Sequence, residues 1–236
     1  LWRGINMNVS VFLQRLASAR SIRNIRDQFE AMYPENGLAP RTGIVHVEHH
    51  LAHAASAFFV SPFSDAAILS MDGFGDFSST LLAEGRGNKI KELQRVFFPH
   101  SLGLVYNALT QYLGFPHYGD EGKVMALAAF GKSKYLDTFR KIVYDAANAS
   151  FELDLRYFIH HRQGIEMSWA SGSPSVGRLF SKKLEEALGP ARGAGESLGQ
   201  RFYDVAASLQ ARTEEVILRL ANGLAEKCES RNLCLA

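Results

Sequence analysis

The spacing of apolar residues changes period several times along the chain, and each change predicts an element. Residues 8–33 place Val11, Leu13, Leu16, Ile22, Ile25 and Phe29 at helix-like intervals with Arg and Gln between them. Pro34-Glu35-Asn36-Gly37 ends that run. Gly43 to Val47 predicts a short strand. Glu48 to Phe59, rich in Ala and Leu, predicts a helix that Ser61-Pro62-Phe63 closes. Asp65 to Met71 predicts a strand, Asp72-Gly73-Phe74-Gly75-Asp76 a tight turn, and Ser78 to Ala83 the return strand. A second turn at Gly85-Arg86-Gly87-Asn88 and a third strand, Ile90 to Phe97, complete an antiparallel meander.

The second half is mainly helical in period. Ser101 to Leu113 is amphipathic, with Leu104, Ala108 and Tyr112 on one face. A glycine-rich loop, Gly114 to Lys123, feeds a helix from Val124 to Phe130, and Tyr135 to Ala147 reads as another helix. Phe151 to Tyr157 alternates strictly and predicts a strand. Residues 163–177 read as a loop. Leu179 to Leu188 is helical, Gly189 to Gly195 breaks, and Ser197 to Lys227 is one long helix. Asn232 to Ala236 reads as a buried strand. Strands and helices alternate, so the expected class is α/β. The chain begins at Leu1 without Met and ends within that last strand. It therefore reads as a piece of a longer protein.

Composition narrows the function classes. The chain has 236 residues, 47% apolar and 21% charged, which is enough apolar surface to offset chain entropy and excludes disorder as the main state. The length suits one large domain or two small ones. A net charge of +2, from 26 basic and 24 acidic residues, gives no electrostatic case for nucleic acid or a membrane as partner. No apolar run reaches the ~18 residues of a spanning helix, and no secretory signal opens the sequence. The expected location is the cytoplasm. Cys228 and Cys234 form no CxxC motif, and no second pair exists for a zinc site. Two free thiols suit a reducing compartment.

Candidate chemistry centres on histidine. His46, His49, His50 and His53 fall within eight residues. On a helix, residues i and i+4 share a face with Cβ atoms ~6 Å apart, so two imidazoles can converge on one ion. Spacing allows either His49/His53 or His46/His50. The plainer reading is a polar helix start with hydrogen-bonded histidines. Asp72 closes a buried-looking strand, where a carboxylate is costly unless it is paired or metal-bound. Its plainer reading is a turn residue. The turn around Gly73, Gly75 and Asp76 could offer backbone N–H groups to phosphate. So could Gly119-Asp120-Glu121-Gly122-Lys123, where Lys123 and a helix N-terminus favour an anion. That loop is no P-loop, because His117 stands where the motif needs Gly and Val124 where it needs Ser or Thr. Its plainer reading is a helix start capped by Asp120. His160-His161 reads as a solvated pair at a strand end. No GxSxG elbow and no basic aromatic stripe are present, so neither a serine hydrolase of that type nor an RNA-stacking platform has support.

The segments VEHHLAHAASAF, ILSMDGFGD, HYGDEGKVMALAAFG, FELDLRYFIHH, YDVAASLQ and NLCLA, in this order, closely resemble the N-terminal part of the O-carbamoyltransferases. That family includes the nodulation-factor and antibiotic-tailoring carbamoyltransferases. The resemblance runs from about residue 43 to the end. It implies an actin/sugar-kinase/heat-shock ATPase fold (ribonuclease H-like), here truncated. It implies that residues 1–236 are part of a metal- and nucleotide-binding N-terminal domain. A C-terminal domain outside this sequence would make carbamoyl adenylate from carbamoyl phosphate and ATP. The N-terminal domain would pass the carbamoyl group to a hydroxyl-bearing small-molecule acceptor.

The resemblance also implies a divalent metal, Fe(II), held by His49, His53 and Asp72, which selects between the two histidine pairs. The nucleotide positions expected beside it are Gly73, Gly75, Asp76, Gly119, Asp120, Glu121 and Lys123. No catalytic side chain is singled out. Further motif residues would precede Leu1 and follow Ala236, so the fragment is expected to be inactive alone. It is also expected either to self-associate as a homo-oligomer through its sheet or to leave the segment before residue 43 and residues 163–177 poorly ordered. Two other readings stay open: a nucleotide-binding switch of the heat-shock ATPase type, and a tRNA threonylcarbamoyl-transfer protein. A two-histidine metal site has no use in the first, and near-neutral charge does not help the second.

Overall fold

A computed structural model of the chain describes residues 25–33, 43–117, 119–165, 167–168 and 175–236. It divides into two units, residues 1–47 with 162–164, and residues 48–161 with 165–236. In the first, helix α1 (Ile25–Met32) forms the end of the predicted 8–33 helix and buries none of its residues. Residues 8–24 and the break at Pro34 to Gly37 lie outside the described residues. Gly43 to Val47 is not a strand: none of the sheets takes it as a partner, and Val45 and Val47 are exposed.

The second unit is built on a mixed four-stranded sheet. Strands β1 (Asp65–Gly75), β2 (Ser78–Arg86) and β3 (Lys89–Phe97) form the expected antiparallel meander. The C-terminal β8 (Leu233–Leu235) joins β1 in parallel, giving the order β3-β2-β1-β8. Ala66 to Ser70 of β1 are all buried because both faces of the strand are covered. Ala66 and Ile68 pack with Ala54 and Phe58 of helix α2 (His49–Phe58). Ala67 and Leu69 face the main core, which helices α3 (Leu102–Tyr112) and α8 (Gln200–Lys227) complete with Leu109, Val205 and Leu220. Cys234 points inward from β8, and both cysteines are buried and free. The mixed α/β class is as expected.

The hairpin between β1 and β2 is not where glycine predicts it. β1 runs on through Asp72 to Gly75, and the chain reverses at Asp76 and Phe77, with φ of +46° and +71°. The ladder pairs Met71 with Thr80 and Gly75 with Ser78, so residues 72–74 form a bulge. Gly73 thus lies in the bulge and Gly75 in the ladder after it, and neither makes the turn.

Between α3 and α8, tertiary contacts override local period in several places. Helix α4 (Glu121–Ala128) starts three residues before the predicted helix. Helix α5 (Leu136–Ile142) stops early. Val143 is buried, and its carbonyl accepts from Arg212 Nε at 2.9 Å, so Val143–Asp145 becomes strand β4 rather than more helix. β4 pairs with β5 (Phe151–Leu153). β5 in turn is shorter than its alternation predicts. The Asp154 carboxylate accepts the Arg156 N–H and turns Leu155–Tyr157 into a 3-10 helix. Residues 163–177 are not simply a loop. They hold the end of helix α6 (His160–Gln163) and a hairpin of β6 (Met167–Ser168) and β7 (Ser175–Val176), with 169–174 outside the described residues. Helix α7 (Lys182–Leu188) precedes α8. Among the described residues no helix is long and apolar enough to cross a membrane.

Candidate metal centre

Helix α2 lies on the sheet with its first turn beside the β1 bulge, and that juxtaposition assembles the site. His49 and His53 are one turn apart. Their Nε2 atoms are 3.1 Å from each other, and His49 Nε2 is 2.8 Å from Asp72 Oδ2. His53 Nε2 lies 3.8 Å from the same oxygen. These three residues are the group of metal-capable side chains that converges among the described residues.

Proton accounting tests whether the group fits an ion. If His49 Nε2 carries a proton and donates it to Asp72, it has no lone pair for His53. If it carries a lone pair, it cannot bond the carboxylate. One ring nitrogen therefore cannot serve both short contacts well. A cation accepting all three lone pairs would, and two ligands at ~2.1 Å from one ion lie roughly 3 Å apart. The donor set of two imidazoles and a carboxylate suits a first-row divalent metal with open positions. The side chains of His49, His53 and Asp72 are 35%, 44% and 42% exposed, so an ion there would remain accessible to a substrate.

The surroundings fix this geometry. The His49 ring lies directly on Gly75, where a Cβ would sit 2.0 Å from Cδ2 and 2.1 Å from Cγ. The His49 N–H donates to Asp76 Oδ2 at 2.9 Å. Ser101 caps α3 by accepting the Leu104 N–H, and its hydroxyl donates to the Gly73 carbonyl at 2.6 Å, pinning the bulge. Burial acts to raise the Asp72 pKa, but bonds from His49 and the Gly73 N–H, with the charge of both histidines, bring it below the usual carboxylate value.

His50 faces the other way and is fully buried. Its Nε2 must donate to the Ser78 carbonyl at 3.1 Å, so Nδ1 accepts from the Ser70 hydroxyl at 2.9 Å. Both ring nitrogens are thereby used. The alternative pair His46/His50 also needs a helix from residue 46, whereas α2 begins at His49.

Asp72 and Gly73 stand at the rim of a cavity of about 840 Å³ between the end of β1, α3, α4 and α8. That volume suits a small-molecule cofactor. Met71, Phe74, Leu102 and Ile217 make it largely apolar, and Asn107, Glu121, Gln210 and Thr213 supply polar groups. Asn107 donates to Glu121, which leaves Asn107 Oδ1 buried without a partner, as is Thr213 Oγ1. No Lys or Arg lines the cavity among the described residues.

The expected nucleotide positions therefore separate. Gly73, Gly119 and Glu121 line the cavity. Gly75 and Asp76 instead support His49. Lys123 reaches back to Asp120 at 2.6 Å, and neither lines the cavity. Asp120 takes the position before α4 but makes no side-chain cap, accepting the His117 N–H instead. His160 is a correction: it is not solvated but wholly buried against Phe74, Phe98 and Phe158, with Nε2 donating to the Pro99 carbonyl at 2.9 Å. Burial pushes its pKa down to about 4. Sequence reasoning did not find Asn107, Ser101 or the pair Glu48–Arg95, since each acts through contacts far apart in the chain.

Fold and site together define an α/β domain with a His-His-Asp group at the rim of a ligand-sized cavity. The family model for the carbamoyltransferase N-terminus matches residues 29–236, and the chain belongs to that family. It is 43% identical over 191 residues to the uncharacterized protein sll1178 of Synechocystis sp., a match covering 80% of this chain and 29% of that protein. It is 32% identical over 191 residues to the nodulation protein NolNO of Sinorhizobium fredii, covering 80% of this chain and 25% of NolNO. It is 31% identical over 195 residues to the nodulation protein NolO of Bradyrhizobium diazoefficiens, covering 80% and 30%. The chain thus spans less than a third of the length of each of these relatives.

Proposed function

We propose that this chain is the metal- and nucleotide-binding part of an O-carbamoyltransferase. The reaction would take carbamoyl phosphate and ATP through carbamoyl adenylate to a hydroxyl of a sugar or secondary metabolite. The observation that carries the reading is the family match over residues 29–236. The convergence of His49, His53 and Asp72 supports it and gives a heat-shock-type switch nothing to do.

In this reading the three side chains hold a divalent metal, Fe(II). When bound, such an ion supplies Lewis-acid polarisation of the carbamoyl oxygen and charge stabilisation at the leaving phosphate. The cavity takes the nucleoside, with Asn107 and Glu121 as its polar contacts and the apolar wall excluding water. Gly73 has open space over its Cα and lets a phosphate approach the backbone. The sheet order supports the actin/sugar-kinase reading of the fold: an antiparallel meander, then a parallel strand after a long helix. In this reading adenylate formation belongs to a separate C-terminal domain, and free thiols together with phosphorylated substrates support a cytoplasmic location.

The test is an Asp72→Asn variant of the full-length protein, given ATP, carbamoyl phosphate and an acceptor. Pyrophosphate release should persist while transfer to the acceptor falls at least a hundredfold. Transfer at the wild-type rate would overturn the assignment of Asp72.

A further inference from the structure

We propose that Arg95, a residue of β3 that is no candidate ligand, is a positioning residue for the metal centre. It fixes both the helix turn that carries His49 and the floor under the His49 ring. The inference rests on the metal reading above.

Arg95 lies on an edge strand on which only Val96 is buried, yet its own side chain is only 9% exposed. Four of its donors are used. Nη1 donates to Glu48 Oε1 at 2.7 Å and Nη2 to Glu48 Oε2 at 2.9 Å, a two-pronged match to the carboxylate. Nη1 also donates to Ser78 Oγ at 3.0 Å, and Nε donates to Glu92 at 2.8 Å.

Two routes run from this guanidinium to His49. Along the first, Glu48 is the N-cap of α2, and its Oε2 also accepts the Leu51 N–H at 2.8 Å. Glu is not among the preferred N-cap residues. A Ser or Asp would cap the helix as well but is too short to reach Arg95 at the same time. The choice of Glu couples the helix start to β3, and the next residue is His49. Along the second route, the Ser78 hydroxyl donates to the Gly75 carbonyl at 3.2 Å, and the Ser78 carbonyl receives the His50 ring. Gly75 is the residue on which the His49 ring rests. Both routes are indirect, one through the residue before His49 and one through the residue beneath its ring.

The experiment is a Co(II) titration of the full-length protein, following the visible absorption of bound cobalt, with metal-free melting measured in parallel. The variants are Arg95→Lys, Arg95→Met and Glu48→Gln, with Asp72→Asn as the ligand control. Lysine keeps the charge but loses the planar fork. The expected result is a cobalt affinity weaker by about ten- to a hundredfold in Arg95→Lys and Glu48→Gln, with an altered band shape. If Arg95→Met does not fold, those two variants decide. Wild-type affinity and spectrum in both would overturn the proposal, whatever the change in melting. A wild-type protein with no cobalt band, or a band that Asp72→Asn leaves intact, would instead sink the metal reading and this inference with it.

Discussion

Gly75→Ala separates the role of a small residue under a ligand from the role of a flexible one. A Cβ at residue 75 would lie 2.0 Å from His49 Cδ2, 2.1 Å from Cγ and 2.6 Å from Nε2. Ordinary carbon contacts are about 3.5–4.0 Å, so the ring must retreat by roughly 1.5 Å. Rotating the ring about χ2 does not help, because Cγ is placed by χ1 and the backbone alone. The backbone is held by Asp76 and by the capped helix start. His49 must therefore leave its rotamer, and its Nε2 leaves Asp72 and His53. Gly75 is not among the residues with positive φ, so alanine adds no backbone strain. The exposed His49–Asp72 contact is itself worth under about 1 kcal/mol. Displacing the ring should cost the metal-free protein about 1–3 kcal/mol, while cobalt or iron affinity falls at least a hundredfold, about 2.7 kcal/mol. Gly73→Ala is the control, since its Cβ would meet nothing within 4 Å. It should bind metal normally. Isothermal titration of both variants decides: Gly75→Ala with wild-type metal affinity, or equal losses in the two, would refute the steric argument.

Three further outcomes follow from the same geometry. His160 has a pKa of about 4, against ~6.5 for an unfolded histidine, so folding keeps it neutral. Its contribution is complete above pH 6.5 and is lost as pH falls toward 4, about 2 kcal/mol by pH 5. Urea unfolding at pH 7 and pH 5 should show this acid loss shrink in His160→Phe, which keeps the aromatic stack. Lys123→Ala removes an exposed partner of Asp120 and should cost under about 1 kcal/mol in stability. Since Lys123 does not line the cavity, ATP binding should change as little, and a selective loss of ATP affinity would make Lys123 a nucleotide contact after all. Chelation of divalent metal should weaken ATP at least tenfold and leave adenosine almost unchanged, measured by equilibrium dialysis, because the cavity itself carries no cation.

How much of this was legible in the sequence varies with the range of the interaction. The i,i+4 spacing of His49 and His53 places both on one face of a helix, and a helix is a local object. The ending of an apolar run at Asp72 likewise marks the edge of a buried strand. What spacing left open, His46/His50 against His49/His53, depends on where α2 starts, and a distant residue, Arg95, helps to fix that start. In sequence the bulge at residues 72–74 looks like a turn because glycine permits either, and only the ladder with β2 distinguishes them. The same holds for Phe151 to Tyr157, whose alternation is real but is cut by the Asp154 side chain. His160 lies beyond that break, and its burial against Phe74, Phe98 and Phe158 is set by residues distant in the chain or outside the strand pattern.

Charge joins the histidine group to the cavity. A ligand seated between α3 and α8 meets the carboxylates of Asp72 and Glu121 and no lysine or arginine among the described residues. A phosphate brought within ~4 Å of one such carboxylate is repelled by about 4 kcal/mol at the effective dielectric of a protein surface. An apolar cavity rimmed by acid therefore suits the uncharged portion of a nucleotide and resists the charged portion. On the proposed reading the phosphates lie beside Asp72, and a cation held there by His49, His53 and Asp72 would remove the resistance. His49 and His53 bring their nitrogens to that same edge. The bulge that projects Asp72, the glycine that admits the His49 ring and the clamp that aims helix α2 are then three parts of one requirement. On the proposed metal reading they would place neutralising charge beside a cavity whose described lining has no lysine or arginine.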